Sequence, residues 1–254
     1  MDEELTALAA QHAEMAGLVD GLDDDAWAMP SRCDGWSVAD VVLHLAQTDE
    51  MARASLEGRF EAFLDEVADD WATAASVDDG AGLLVAAERD LHPPDVLHRR
   101  WLDGAAALRA AFAEQDERHR VQWVAGTLSV RTLAVTRLTE CWIHSGDIAH
   151  GLGVALVPTD RLRLTARLAW RTLPYAFAQA GRELHGPVAF DLVGPGGERW
   201  RFDPPDGTTA TTTLRGSAVE LCEVAGQRVS ASDTTLVAAG PDSADVLALV
   251  RTFA

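Results

Sequence analysis

Lysine is absent from this 254-residue chain, whose 21 basic residues are all arginine. Schiff-base chemistry and lysine general bases are thereby excluded. Cysteine is scarce as well. Cys33, Cys141 and Cys222 are odd in number, widely spaced and form no CxxC, so neither a disulfide framework nor a thiolate zinc site is expected. No apolar run approaches the roughly 18 residues that a membrane span needs. The start, MDEELTALAAQHAEM, lacks the basic and apolar stretches of a signal peptide. These absences predict a cytoplasmic protein. Positive charge is also short: 40 carboxylates against 21 arginines leave a formal net charge of −19. Such a chain repels phosphate backbones and anionic lipid, so nucleic acid and membrane are not expected partners.

What is present is ordinary for a folded protein. With 48% hydrophobic and 24% charged residues the chain is globular, and its length suits one large or two modest domains. The charge is unevenly shared. Residues 1–157 hold 29 of the 40 carboxylates and 11 of the 21 arginines, a net −18, whereas residues 158–254 are nearly balanced at −1. Two domains, 1–157 and 158–254, are therefore expected.

The first domain reads as helical. Residues 3–20 carry an amphipathic pattern that ends at Gly21. Ser37 and Asp40 nearly match a capping box, opening a helix expected to run to about residue 67. Residues 57–79, with eight carboxylates and one arginine, read as a solvated face and loop. A third helix follows Pro93-Pro94 over 95–117. Ser129 can cap a fourth, running to about His150 and stopped by Gly151 and Gly153. Beyond Pro158 the texture changes: a helix over 159–183, strands at Val188–Val193 and Arg199–Phe202 around Gly194-Pro195-Gly196-Gly197, a further strand at 208–213, and a short helix at Ser217–Val224. The fold class expected is α+β, an N-terminal four-helix bundle joined to a small C-terminal α+β domain.

The fourth helix carries the chemistry. At about 100° per residue, Ser129, Thr136, Arg137, Glu140, His144 and Asp147 share one stripe, and most of the remaining circumference is apolar. A helix so apolar is mostly buried, and its polar stripe must be paired or face a cavity. Two readings of the stripe stand side by side. Glu140 and His144, one turn apart, can reach a single metal ion, or Glu140 pairs with Arg137 and His144 lies near solvent. His44, on the second helix, flanks the apolar arc and can enter the bundle core, either toward a ligand or simply hydrogen-bonded to a neighbour. His12 is lone on its helix, His92 and His98 flank a Pro-Pro turn and are expected to face solvent, and His150 points away from His144. Cys141, among apolar neighbours, reads as a buried structural thiol.

Two segments carry a resemblance. Cys33-Asp34-Gly35-Trp36-Ser37-Val38-Ala39-Asp40-Val41-Val42-Leu43-His44-Leu45 resembles the first signature of the mycothiol-dependent maleylpyruvate isomerase family, within the DinB-like metalloprotein superfamily. Trp123, Gly126, Ser129, Arg137, Glu140, Trp142, His144, Asp147, Ile148 and Gly153 resemble its second. The resemblance covers residues 1–157 well and the remainder loosely, where it implies a small sterol-carrier-like domain closing over the substrate. It implies that His44, Glu140 and His144 are the metal ligands. Asp147 and Arg137, on the same stripe of the fourth helix, can orient His144 and Glu140 from behind, or Asp147 makes a helix-terminal salt bridge instead. Two imidazoles and a carboxylate with open positions suit catalytic Zn²⁺ and also admit Fe²⁺ or Ni²⁺. Cys33 fills a position where the family often has Cys, and no role follows for it. Arg228 falls near the family's Gly-Arg pair that helps hold an anionic substrate, with Gln227 intervening here, and is the catalytic candidate. The implied cofactors are a divalent metal and mycothiol or another small thiol. The implied activity is thiol transfer to a small electrophilic metabolite through metal-bound thiolate. Maleylpyruvate-type cis–trans isomerisation is the alternative, and a non-enzymatic metal- or small-molecule-binding protein the competing class. The expected partners are that thiol and a small substrate, in a monomer or homodimer.

Overall fold

The computed structural model describes residues 1–67, 74, 76–124 and 126–252. The chain divides into two compact units, Met1–Leu156 and Val157–Ala254. In the first, α1 (Asp2–Val19) leads through the single turn α2 (Asp24–Trp27) to α3 (Val38–Leu56), α4 (Phe60–Glu66), α5 (Val77–Glu88) and α6 (Pro94–Ala113). A hairpin of β1 (Arg120–Trp123) and β2 (Gly126–Ser129) then feeds α7 (Val130–Leu152). Helices α1, α3, α6 and α7 pack side by side as the expected four-helix bundle. Its core includes Met15, Val41, Val42, Leu45, Trp101, Cys141 and Ile148.

The helix starts are the ones the sequence signals. Ser37 and Asp40 form a complete capping box, each side chain accepting the other's backbone N–H. Pro94 opens α6, where its missing N–H is harmless, and Ser129 Oγ accepts the Thr132 N–H at 3.2 Å to start α7. The ends differ. The second helix stops at Leu56 rather than near 67, because Gly58 turns left-handed at φ +70° and the chain restarts as α4. The third ends at Ala113, short of 117, and the β1–β2 hairpin fills a stretch that carried no strand expectation. Gly151 lies inside α7, and Gly153, left-handed at φ +68°, caps it alone. The acidic segment 57–79 includes all of α4 and the start of α5, and residues 68–73 and 75 of it lie outside the described residues.

The second unit is the small α+β domain expected. It comprises α8 (Leu162–Gln179), β3 (Val188–Val193), β4 (Arg199–Phe202), β5 (Thr212–Ser217), α9 (Ala218–Ala225), β6 (Val237–Ala239) and α10 (Ser243–Leu249). The sheet order is β4-β3-β5-β6, antiparallel except for the parallel β3–β5 pair. The third strand lies at Thr212–Ser217 rather than 208–213, because ladder pairing with β3 begins at Val188–Thr212. Neither β6 nor α10 was expected. Phe190, Leu192, Trp200, Phe202 and Leu214 are buried, whereas Arg199 and Arg215 pair with Asp191 and Arg201 with Asp203, largely in solvent. Gln227 takes a left-handed φ of 60°, where glycine is favoured. The Arg228 N–H bonds Glu223 O at 2.8 Å and the Gln227 N–H bonds Val224 O at 2.9 Å, which completes a Schellman end to α9.

Candidate metal centre

Helices α3 and α7 bring together three of the residues singled out above. His44 Nε2 and His144 Nε2 each lie 3.2 Å from Glu140 Oε1, and the two imidazoles meet nearly edge to face, centroids 4.8 Å apart. One donor atom from each of His44, Glu140 and His144 fits within a span of 4.8 Å. Donors bound to one tetrahedral ion at about 2.0–2.1 Å stand roughly 3.4 Å from one another. The three side chains therefore fit a divalent ion with little movement.

The surroundings fit as well. His144 Nδ1 donates to Asp147 Oδ2 at 2.9 Å, the outer bond that fixes a ligating imidazole and leaves its other nitrogen for the ion. Arg137, 1% exposed, donates from Nε to Asp49 Oδ1 at 3.0 Å and from Nη2 to Thr48 Oγ1 at 2.8 Å. Its Nη1 lies 4.0 Å from Glu140 Oε2. The ion pair of Arg137 is thus made chiefly with Asp49, and Glu140 is left facing the histidines.

Proton affinities follow from this layout. Burial alone would push the Glu140 carboxyl up, but hydrogen bonds from His144 and His44 hold it well below the usual carboxylate range. Burial opposes charge on His144 too, yet its bonds to Asp147, Cys33 and Glu140 raise it well above the ordinary imidazole value. His44 goes the other way, lowered by burial against the opposing bond to Glu140. Without an ion the centre holds its proton on His144, beside a carboxylate. A cation can replace that proton.

Two further residues stand at the centre. Cys33, half-buried, places Sγ 3.2 Å from Asp147 Oδ2 and 3.8 Å from His144 Nδ1, where the sequence assigned it no role. Trp36 packs its ring 5.2 Å from that of His44. Both sit on the loop before α3, where no periodicity says which way a side chain points. The remaining candidates lie elsewhere. His12 is buried against Arg109 and Trp101. His98, expected in solvent, is half-buried with its ring against Trp27, because on α6 it flanks the buried face that carries Leu97 and Trp101. Cys141 and Cys222 are buried, and burial pushes both thiols up, as inert thiols require. Trp123 of the second signature packs on Phe60, centroids 6.1 Å apart. Arg228 belongs to the second unit, at a cavity of about 430 Å³ lined by Val224, Gln227, Ser230, Leu247 and Arg251, and its Nη1 donates to Gly226 O at 2.8 Å.

Known proteins share this plan. The family model of the mycothiol maleylpyruvate isomerase N-terminal domain matches residues 8–149. Two uncharacterized proteins of Mycobacterium tuberculosis, MT0041 of strain CDC 1551 / Oshkosh and Rv0036c of strain ATCC 25618 / H37Rv, are each 31% identical over 250 residues, 97% of this chain and 93% of theirs. A crystal structure of the mycothiol-dependent maleylpyruvate isomerase superposes with a TM-score of 0.62 at 18% identity, covering 94% of this chain and 92% of that one. A variant of that enzyme with one histidine replaced by alanine gives 0.61 at 19%, with the same coverage. At such identities the two structures establish the fold. With the family model spanning more than half of the chain, the protein belongs to the mycothiol maleylpyruvate isomerase family.

Proposed function

We propose that this protein is a metal-dependent enzyme that adds a small thiol, mycothiol in the first instance, to a small electrophilic metabolite. The observation that carries the reading is the set of His44, Glu140 and His144 donors on two rigid helices, with His144 clamped from behind by Asp147. Zn²⁺ is the ion this donor set suits first, and when bound it supplies a Lewis acid that favours the thiolate form of the cofactor at neutral pH. His44 and His144 would hold the ion through Nε2. Glu140 would bring the one negative charge, and Arg137, locked by Asp49, keeps that carboxylate from turning away. Trp36, packed beside His44, would cover one side of the centre. Arg228 is the cation proposed to hold an anionic group of the substrate, as in the family resemblance.

Addition places the thiol sulfur on one carbon of an activated double bond and its proton on the neighbour. Transfer stops there. Isomerisation goes on to rotation about the new single bond and loss of the thiol. Transfer is the first reading, and the likeness to a solved maleylpyruvate isomerase favours isomerisation as the second. A metal- or small-molecule-binding protein without turnover is the competing class, because fold does not fix function. Elemental analysis of the purified protein, followed by incubation with mycothiol and a panel of activated alkenes under mass spectrometry, separates the three. One ion per chain with a thiol adduct supports transfer, and a rearranged, adduct-free product supports isomerisation. A loaded protein inert to the whole panel overturns the enzyme reading. Arg228→Ala should keep the ion and lose turnover.

A further inference from the structure

The loop between α2 and α3 is held in place from several sides. Pro30 bridges Ser37. Ser31 Oγ accepts the Cys33 N–H at 3.1 Å and donates to Trp36 O at 2.9 Å. The Arg32 N–H donates to the backbone carbonyl of Asp147 at 3.1 Å. Gly151 lets the loop lie against α7, since a Cβ there would stand 2.4 Å from Pro30 O. These tethers deliver Cys33 Sγ to Asp147 Oδ2 at 3.2 Å, the oxygen that accepts from His144 Nδ1 at 2.9 Å. Asp147 has no exposed surface, so no solvent competes for its carboxylate.

We propose that Cys33 is a positioning residue: its thiol donates to Asp147 Oδ2, fixes that carboxylate, and through it sets the ring plane of His144 and the direction of Nε2 toward Glu140 and His44. The inference rests on the reading that His44, Glu140 and His144 hold an ion. Cys33 Sγ, His144 Nδ1 and Asp147 Oδ2 also lie within 4.8 Å of one another and are themselves a conceivable ligand set. Two features favour positioning. An ion there as well as at Nε2 would require His144 to give up both ring protons, and Asp147 Oδ2 already accepts two donors.

The test compares wild type, Cys33→Ser and Cys33→Ala by zinc competition against a chelator, by absorption of the Co²⁺-loaded protein, and by the His144 ring N–H resonance in metal-free protein. Cys33→Ala should weaken zinc about tenfold, the low end for loss of a partner that orients a ligand, whereas Cys33→Ser, which keeps a donor, should stay within about threefold of wild type. The cobalt d–d bands should shift in Cys33→Ala and recover in Cys33→Ser, with no thiolate-to-cobalt band in wild type. The downfield His144 N–H should exchange faster in Cys33→Ala only. Wild-type affinity, cobalt spectrum and N–H exchange in Cys33→Ala would overturn positioning. A thiolate-to-cobalt band, or a second zinc lost in Cys33→Ser, would make Cys33 a ligand and overturn it too. If wild type binds no zinc while the N–H resonance still responds as stated, the positioning stands and the metal reading alone fails.

Discussion

His12 and His144 are both buried on helices of one bundle, yet their surroundings drive them in opposite directions. His12 on α1 receives Arg109 Nη1 on its Nδ1 at 2.6 Å and meets Trp101 nearly edge to face, centroids 5.9 Å apart. Burial pushes it down to about 3, and the charges of Arg109 and Arg137 push the same way. It stays neutral. Around His144 stand Asp147 and Glu140, which hold its proton although it is buried too. The sign of the neighbours, not the residue type or its depth, sets the direction of each shift. A histidine beside guanidinium packs as an aromatic filler, whereas one among carboxylates sits where a cation can replace the proton.

The strongest way to break this contrast is to remove the donors. His44→Ala, Glu140→Ala and His144→Ala should each reduce bound metal to near zero, while His12→Ala leaves it unchanged, as measured by elemental analysis on protein whose helicity is intact by circular dichroism. Metal retained in all three variants would place the site elsewhere. Next in size is the pair behind the centre. Arg137→Met leaves Asp49, 2% exposed, as an unpaired buried charge, and should lower stability by about 3–5 kcal/mol in urea titrations. A loss under about 1 kcal/mol would mean that solvent reaches Asp49 after all.

The two histidines also predict opposite pH slopes. The pKa of His12 is depressed, so the unfolded chain takes up the proton first. Its contribution is full above about pH 6.5 and is lost as pH falls toward 3, on the order of 3 kcal/mol by pH 4. His144 in metal-free protein is raised, so its contribution is full below about 6.5 and is lost as pH climbs through the raised value. Zinc must displace that proton, so zinc affinity should fall as pH falls. Urea titrations across pH 4–8 check the first point: His12→Gln should flatten the acid limb. An unchanged acid limb in that variant would assign it to other groups.

The His144 side of this contrast was legible in the sequence. Glu140, His144 and Asp147 recur at helical spacing on a helix otherwise apolar, and that arithmetic placed them on one stripe. The flank position of His44 left a ligand and a core histidine both open, and only the family resemblance joined it to Glu140 and His144, while Ser37 and Asp40 marked the start of its helix. The β1–β2 hairpin was not legible, because its four-residue strands lack a turn signal such as Gly194-Pro195-Gly196-Gly197, which marked the equally short Arg199–Phe202. Cys33 was missed for a different reason. Its direction is set by bonds from Arg32 and Ser31 to distant or irregular backbone, and by the missing side chain of Gly151, none of which leaves a periodic trace. His12 looked lone because Arg109 and Trp101, its partners, lie about ninety residues further along the chain.

The smallest expected effect sharpens the contrast from the apolar side. Around His144 the polar atoms are paired, but His12 Nε2 and Trp101 Nε1 are buried with no hydrogen-bond partner among the described residues. If the His12 region works by shape alone, those polar atoms contribute nothing favourable. Trp101→Phe removes one orphaned donor, relieving about 1–3 kcal/mol of desolvation cost, and opens a cavity that costs a similar amount. Stability should therefore move by no more than about 1 kcal/mol, with metal content unchanged. A loss of about 3 kcal/mol or more in urea would mean that the indole N–H is bonded in solution, through a trapped water, and that the His12 region is a polar site as fully satisfied as the one around His144.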